Sequence, residues 1–264
     1  MRSLVAALAV AAILVVPATA AAPPTKTPGE LLVGLAMPSA GFQVGSVRGR
    51  EVVLAKGFEV DLARELATRL ELRRVRFVNE PLFSTLLAAG RKDWDLALAQ
   101  ISVTPARAKR IDFSAPYLSA DQGVLIRLDL KRPTSLAALR SLQLCAERAS
   151  TGGQLILDRI KPTRKPRLLE NPSKLSYELF TKRCDAIVFD APALAVLSRQ
   201  APDRYGPLVG RIVTNERYAI ALEKGSALRP RLNAALRALA ADGTLERLRK
   251  RWLGADTAKL PVLR

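Results

Sequence analysis

An alternation of short apolar runs with amphipathic stretches over residues 31–101 most tightly limits the fold of this chain. Leu31 to Ala36 (LLVGLA) is an apolar run of strand length. Leu62 to Leu70 repeats apolar residues at Leu62, Ala63, Leu66, Ala67 and Leu70, the spacing of one helical face, and Gly57-Phe58-Glu59-Val60-Asp61 leads into it. Arg74 to Val78 is the next strand. Phe83 to Ala89 is the next helix, with Gly90 where a C-cap belongs, and Asp95 to Ile101 is a third strand. Strand, helix, strand, helix, strand argues for a parallel α/β sheet.

A second unit of the same kind begins near Gly123. Gly123 to Arg127, Ser141 to Ala146, Arg167 to Leu169 and Asp185 to Phe189 read as strands, and Gly153 to Ile160, Ser173 to Thr181 and Pro192 to Gln200 as helices. Arg211 to Thr214 and Tyr218 to Leu222 read as extended chain. Ala227 to Leu253 is a helix pair divided at Asp242-Gly243, with Leu232, Leu236, Leu239, Leu245, Leu248 and Trp252 as interior positions. Two such units predict a cleft between lobes, a favoured place for a small ligand.

The N-terminus predicts export. Arg2 precedes an apolar run from Leu4 to Val16 and the small residues that follow Pro17, the pattern of a cleaved signal over residues 1–22, with a retained signal anchor as the alternative. No cysteine lies there to carry a lipid, and residues 23–27, within a proline-bearing stretch, read as a flexible leader. The charge is +18, or +17 once Arg2 leaves with the signal. Such a surplus fits an acidic ligand or an anionic polymer. The basic residues are scattered, with short clusters at Arg73 to Arg76, Lys161 to Lys165 and Arg247 to Arg251, and no aromatic residues interleave to stack on bases. Nucleic acid is not an expected partner.

The absence of histidine excludes Ser-His-Asp and Cys-His catalysis and histidine-ligated metals, and neither metal nor cofactor is expected. Cys145 and Cys184, an even pair in an exported chain, predict a disulfide, with two separate buried thiols as the alternative. Closing that loop stabilises by roughly 3 to 4 kcal/mol in the chain-entropy account.

Three segments carry candidate binding residues. Arg107 follows Ser102 and Thr104 in a short helix opened by Pro105, which also carries Lys109 and Arg110. A guanidinium there clamps a carboxylate through paired hydrogen bonds, aided by hydroxyls and free N–H groups; a basic turn facing solvent is the alternative. Gln100, just before, either hydrogen-bonds a polar side chain or is a plain loop amide. Ala149 to Gly153 lies between a strand and a helix, so Ser150 or Thr151 is a natural N-cap with N–H groups open to an anion, though a cap alone needs no ligand. Asp190 ends the apolar run Ala186 to Phe189, where open α/β sheets bind ligands, and either takes an ammonium group or caps the next helix. A guanidinium in one unit and a carboxylate in the other suit a zwitterion, of which an amino acid is the simplest.

Gly57 to Ala63, Asp95 through Ile101-Ser102-Val103-Thr104-Pro105-Ala106-Arg107, Asp112-Phe113-Ser114-Ala115-Pro116-Tyr117, Ser150-Thr151, Arg183 to Ala186 before Asp190, Asp242-Gly243-Thr244 and Arg251-Trp252-Leu253-Gly254 follow one another in a familiar order. In them the chain resembles the family 3 bacterial solute-binding proteins, the amino-acid receptors of ABC importers. The resemblance spans nearly all of the mature chain. It implies an α/β, two-lobed Venus-flytrap fold of the type II periplasmic-binding-protein kind with two crossover strands, lobe 1 being residues 28–120 plus 214–264 and lobe 2 residues 121–213. By the same likeness Arg107 pairs with a ligand α-carboxylate, helped by Ser102 and the backbone at Thr151, and Asp190 takes the α-ammonium. Cys145 and Cys184 would lie on neighbouring strands of lobe 2. The expected partners are a small zwitterion and an ABC-transporter permease, and the expected state is a monomer in the periplasm or outside the cell.

The sequence departs from that family after the first strand. Ala36 stands where members often carry an acid, and Ser39 where an aromatic stacks on the ligand, while Phe42 matches the aromatic that closes the motif. A cationic ligand side chain is thereby less well provided for. The likeness also embraces exported dehydratases of cyclohexadienyl or prephenate type, for which Glu80, Glu170 and Glu178 are available acids. A basic protein adhering to anionic polymer, marked by salt-sensitive retention on heparin, is a third reading.

Overall fold

The structure, a computed structural model, describes residues 22–254 and 256–264, so the expected signal falls outside it apart from Ala22. The strand β1 (Glu30–Leu35) is buried along nearly its whole length, as a central parallel strand must be. Next come β2 (Val44–Arg48) and β3 (Glu51–Lys56), an antiparallel hairpin at the sheet edge. No apolar alternation announces this hairpin, because most of its residues are exposed and its turn is Gly49-Arg50 instead of Asn-Gly. Helix α1 (Phe58–Arg69) starts earlier than its apolar repeat, since Glu59 and Asp61 already sit in its first turn at the positive end of the helix. Strand β4 (Arg74–Asn79) pairs parallel with β1.

Two expected elements are shorter in the structure. Helix α2 covers only Phe83–Leu86. Lys92 turns its ammonium onto the carbonyls of Thr85 at 3.2 Å and Ala88 at 2.6 Å, satisfying chain-end acceptors in place of a longer helix, and Gly90 lies beyond the cap. Strand β5 is only Leu96–Ala97. Gln100 adopts φ 52° and gives its N–H to Glu59 Oε1 at 2.7 Å, so the chain leaves the sheet there. Helix α3 (Pro105–Ala108) is a single turn that carries Arg107, with Lys109 as its cap and Arg110 beyond it. The leader is tied down at Lys26, whose N–H donates to Asp95 Oδ1 at 2.6 Å.

Strands β6 (Asp112–Ile126) and β10 (Leu208–Leu222), 15 residues each, run antiparallel and join the two halves of the molecule. Sequence pattern shows them only in pieces, because polar Asp121, Gln122, Asn215 and Glu216 interrupt the apolar runs midway. Strand β10 bulges between Ile212 and Glu216, with Asn215 at φ 53°. Asp121 braces the bulge by accepting the N–H groups of Thr214 at 2.9 Å and Asn215 at 3.1 Å and by pairing with Arg211.

Between the crossovers lie α4 (Leu136–Leu139), β7 (Leu144–Glu147), α5 (Thr151–Leu155) with a wider turn over Ile156–Ile160, β8 (Arg167–Leu169), α6 (Ser173–Phe180), β9 (Ala186–Asp190) and α7 (Ala191–Gln200). The described strands form one sheet in the order β2-β3-β4-β1-β5-β10-β6-β9-β7-β8. After β10 the chain returns to the first half, where α8 (Arg229–Ala241) and α9 (Thr244–Trp252) pack Leu232, Leu236, Leu239 and Leu248 into the core of Phe58, Leu62 and Leu66. A separate core gathers Val124, Leu144, Ile156, Ile160 and Val188. The fold is therefore two-lobed α/β with two crossovers. Cys145 and Cys184 form a disulfide with Cα atoms 5.9 Å apart; Cys145 lies on β7, but Cys184 lies in the turn before β9, not on a neighbouring strand.

Candidate functional site

The ends of β1, β5, β7 and β9 meet where the lobes face each other, and the chain leaving them lines a cavity of about 20 Å³. Ala36 and Ser39 come from the first, Gln100, Ser102 and Arg107 from the second, Glu147, Ser150 and Thr151 from the third and Asp190 from the fourth, with Phe83 and Phe189 as aromatic walls. An apolar groove of about 240 Å³ opens beside it, sharing Ser39, Pro172 and Phe189 and continuing over Leu175, Leu194 and Leu197.

Arg107 is placed by its own short helix. Thr104 caps α3 by accepting the Arg107 N–H at 3.2 Å, and Pro105 opens the turn. The side chain is buried, not solvent-facing: Nη1 donates to the Ser102 carbonyl at 2.9 Å, Nη2 to the Ala149 carbonyl at 3.0 Å, and Cζ lies 5.3 Å from the centre of the Phe83 ring. Burial lowers its pKa while the carboxyls of Glu216, Asp190 and Glu147 work against that shift, and a guanidinium stays charged.

Asp190 is buried and accepts from Gln122 Nε2 at 2.6 Å; its side chain makes no capping bond to α7. Burial, then the nearby Glu216 carboxylate, raise its pKa to about 7. Ser150 is the N-cap of α5, accepting from the Gly153 N–H at 3.0 Å and donating to the Glu147 carbonyl at 2.7 Å. The hydroxyl of Thr151 donates to Glu216 Oε2 at 2.6 Å, and that of Ser102 donates to the same oxygen. Gln100 Nε2 donates to Ser39 Oγ at 2.6 Å, while Gln100 Oε1 is buried without a partner. Phe42 is not brought to the cavity: it is fully buried in the first core, edge-on to Phe58 at 5.8 Å and to Tyr218 at 6.2 Å.

Glu147 and Glu216 join the candidate site beyond the residues that the sequence motifs single out. Glu147 ends the apolar run Leu144 to Ala146 as Asp190 ends its own, so the same strand-end rule finds it. Glu216 has no such local signal, since the bulge of β10 places it. Glu147 is 4% exposed, and its Oε1 has no hydrogen-bond partner. Burial, then Asp190, raise its pKa to about 8 against the pull of Arg107. The acids considered for a dehydratase lie elsewhere: Glu80 pairs with Arg50, Glu170 with Arg148 and Glu178 with Arg167, and none lines the cavity.

The sequence profile of the bacterial extracellular solute-binding proteins, family 3, matches residues 47–255. The glutamine-binding protein GlnH of an ABC transporter from Bacillus subtilis (strain 168) is 26% identical over 207 residues, 77% of this chain and 75% of that protein. An ancestral arginine-binding protein bound to glutamine matches the fold with a TM-score of 0.76 at 28% identity, over 87% of this chain and 100% of its own. The ancestral amino acid-binding protein AncCDT-1, a precursor of cyclohexadienyl dehydratase, matches with a TM-score of 0.73 at 27% identity, over 85% of this chain and 95% of its own.

Proposed function

The chain belongs to the bacterial extracellular solute-binding proteins of family 3, and from that premise we propose that it captures an amino acid or similar small zwitterion between its lobes and delivers it to an ABC importer. One observation carries the reading: a buried guanidinium and a buried carboxylate, Arg107 and Asp190, line a single cavity from opposite lobes. Arg107 takes the ligand carboxylate with the hydroxyls of Ser102 and Thr151, and Asp190 takes the ammonium. A cavity of about 20 Å³ has room for about one water, so entry of an amino acid requires the lobes to part about β6 and β10 and close again. The protein acts outside the cytoplasm as a monomer, binds without chemistry, and presents its closed form to a permease. Among the described residues no helix is long and apolar enough to cross a membrane.

Titration calorimetry and thermal shift against the common amino acids test this. A ligand of about micromolar affinity or tighter is expected, stabilising by mass action, and Arg107→Ala or Asp190→Ala weakens it at least about 100-fold. Silence with every amino acid overturns the reading. A second reading rests on Glu147, whose buried carboxyl stays protonated near neutral pH and is the general acid a dehydratase needs. Formation of phenylpyruvate from prephenate would favour it.

A further inference from the structure

Ala36 and Glu147 face one cavity from opposite lobes and bear on the charge that a ligand side chain meets there. Ala36 offers no polar group. Glu147 offers a carboxyl at the end of β7, nearly fully buried, with Oε1 unpartnered. A buried acceptor left without a donor is costly, and natural sites seldom keep one idle.

The ionisable groups around Glu147 are lopsided. Arg107 is the one cation among the residues lining the cavity, against the carboxyls of Glu147 and Asp190. Glu216 adds a third carboxyl beside them, bonded to Ser102 and Thr151. A zwitterion held by Arg107 and Asp190 brings one cation and one anion, so acidic groups still outnumber cations there and Glu147 gains no partner. Resting on the zwitterion clamp proposed above, we infer that the ligand bears a second positive group on its side chain, as arginine, lysine and ornithine do, and that Glu147 is the specificity-determining residue that receives it. Phe189, on the cavity wall, adds an aromatic ring, a group that attracts cations to its face. The carboxylate that Ala36 cannot offer is thus supplied from the other lobe.

The protonation of Glu147 agrees with this geometry. Burial, Asp190 and Glu170 raise its pKa to about 8 and Arg107 opposes them, so near neutral pH the group is mostly protonated before a cation arrives. A cation at the carboxyl stabilises its ionised form, and the proton is released to solvent.

Calorimetry with L-arginine and its uncharged isostere L-citrulline tests the inference. Arginine, or another basic amino acid, is expected to bind at least about tenfold tighter than citrulline, glutamine or leucine. Its binding heat near neutral pH is expected to vary with the ionisation enthalpy of the buffer, which reports proton release. In E147Q the preference disappears and the buffer dependence shrinks to the share that Asp190 contributes, with the circular dichroism spectrum checking the fold. Equal or tighter binding of citrulline, glutamine or leucine, or an unchanged preference in E147Q, overturns this inference and leaves the zwitterion clamp standing. Failure of every amino acid to bind overturns both. The citrulline comparison needs no variant, so a poorly folding E147Q does not shelter the inference.

Discussion

The guanidinium of Arg107, carried by the first lobe, donates to the carbonyl of Ala149 in the second at 3.0 Å. One side chain thereby spans the cleft, and Glu216 repeats the link from the crossover strand by taking hydroxyls of Ser102 on one side and Thr151 on the other. The donors assigned to a ligand carboxylate are already oriented by internal acceptors. Binding therefore exchanges partners within a preorganised set, which limits the entropy lost when a ligand is held.

Arg107→Lys separates charge from shape. Lysine keeps the positive charge but cannot present two parallel N–H groups or reach Ser102 and Ala149 together. Affinity for the best amino acid is expected to fall roughly 10- to 100-fold, about 1.4 to 2.8 kcal/mol, with Arg107→Ala lower still. Titration calorimetry gives the order; a lysine variant equal to wild type would refute the paired-bond role.

Glu216→Ala removes the carboxylate that joins Ser102 to Thr151. Without it the ligand-free protein is expected to spend more time with its lobes apart, seen as a larger radius of gyration in small-angle scattering. Saturating ligand is expected to return the profile to that of liganded wild type. Identical ligand-free profiles would remove Glu216 from any part in closure.

What the sequence reveals about this site depends on how local each placement is. Arg107 and Asp190 are legible because each sits at the boundary of an apolar run, where a few neighbours such as Pro105 or Phe189 mark the spot. Ser150 is legible as a cap for the same reason. Glu216 is not, because its direction is set by a bulge that Asp121 holds from the other crossover. Phe42 shows the opposite failure: its motif is plain, yet the surrounding Phe58 and Tyr218 claim its ring for the core. The short reach of α2 is decided just past its end, by the ammonium of Lys92, which no apolar spacing announces.

Stability of the ligand-free protein is expected to fall as pH rises from about 5 to about 8.5. Glu147 and Asp190 ionise near 4.5 and 3.8 in the unfolded chain but at about 8 and about 7 when folded. Across that window the folded state holds more protons than the unfolded one, so the stabilisation is full at the acid end and is lost as pH passes the folded values. Arg107 opposes the shift in both groups, Asp190 and Glu170 favour it for Glu147, and Glu216 favours it for Asp190. Exposed Asp129, Asp242 and Glu246, each held at about 2, act oppositely and only at lower pH, and solvent screening keeps their part small. Thermal melts across the window check the slope, and E147Q is expected to flatten it. A wild-type midpoint that climbs with pH over this range contradicts the burial of both acids.

Replacing Cys145 and Cys184 together by alanine tests what holds the second lobe. Both are fully buried among Leu125, Leu175, Leu179, Ile187 and Leu194, so the bridge fastens the turn before β9 to β7 inside an apolar cluster. In the chain-entropy account the bridge is worth roughly 3 to 4 kcal/mol, and the missing sulfurs leave a small cavity as well. At roughly 2 to 4 °C per kcal/mol for a chain of this size, the melting midpoint is expected to fall by about 10 °C. Cys145 is followed on β7 by Glu147, and Cys184 precedes Asp190 by the length of β9, so the bridge supports the strands that end at the cavity without touching it. At 25 °C, where the lobe stays folded, ligand affinity is expected to change less than about twofold, because no contacting group is altered. Calorimetry at that temperature and melts of both proteins separate the two effects. A large loss of affinity with an unchanged midpoint would mean that the bridge shapes the site directly instead of stabilising the lobe beneath it.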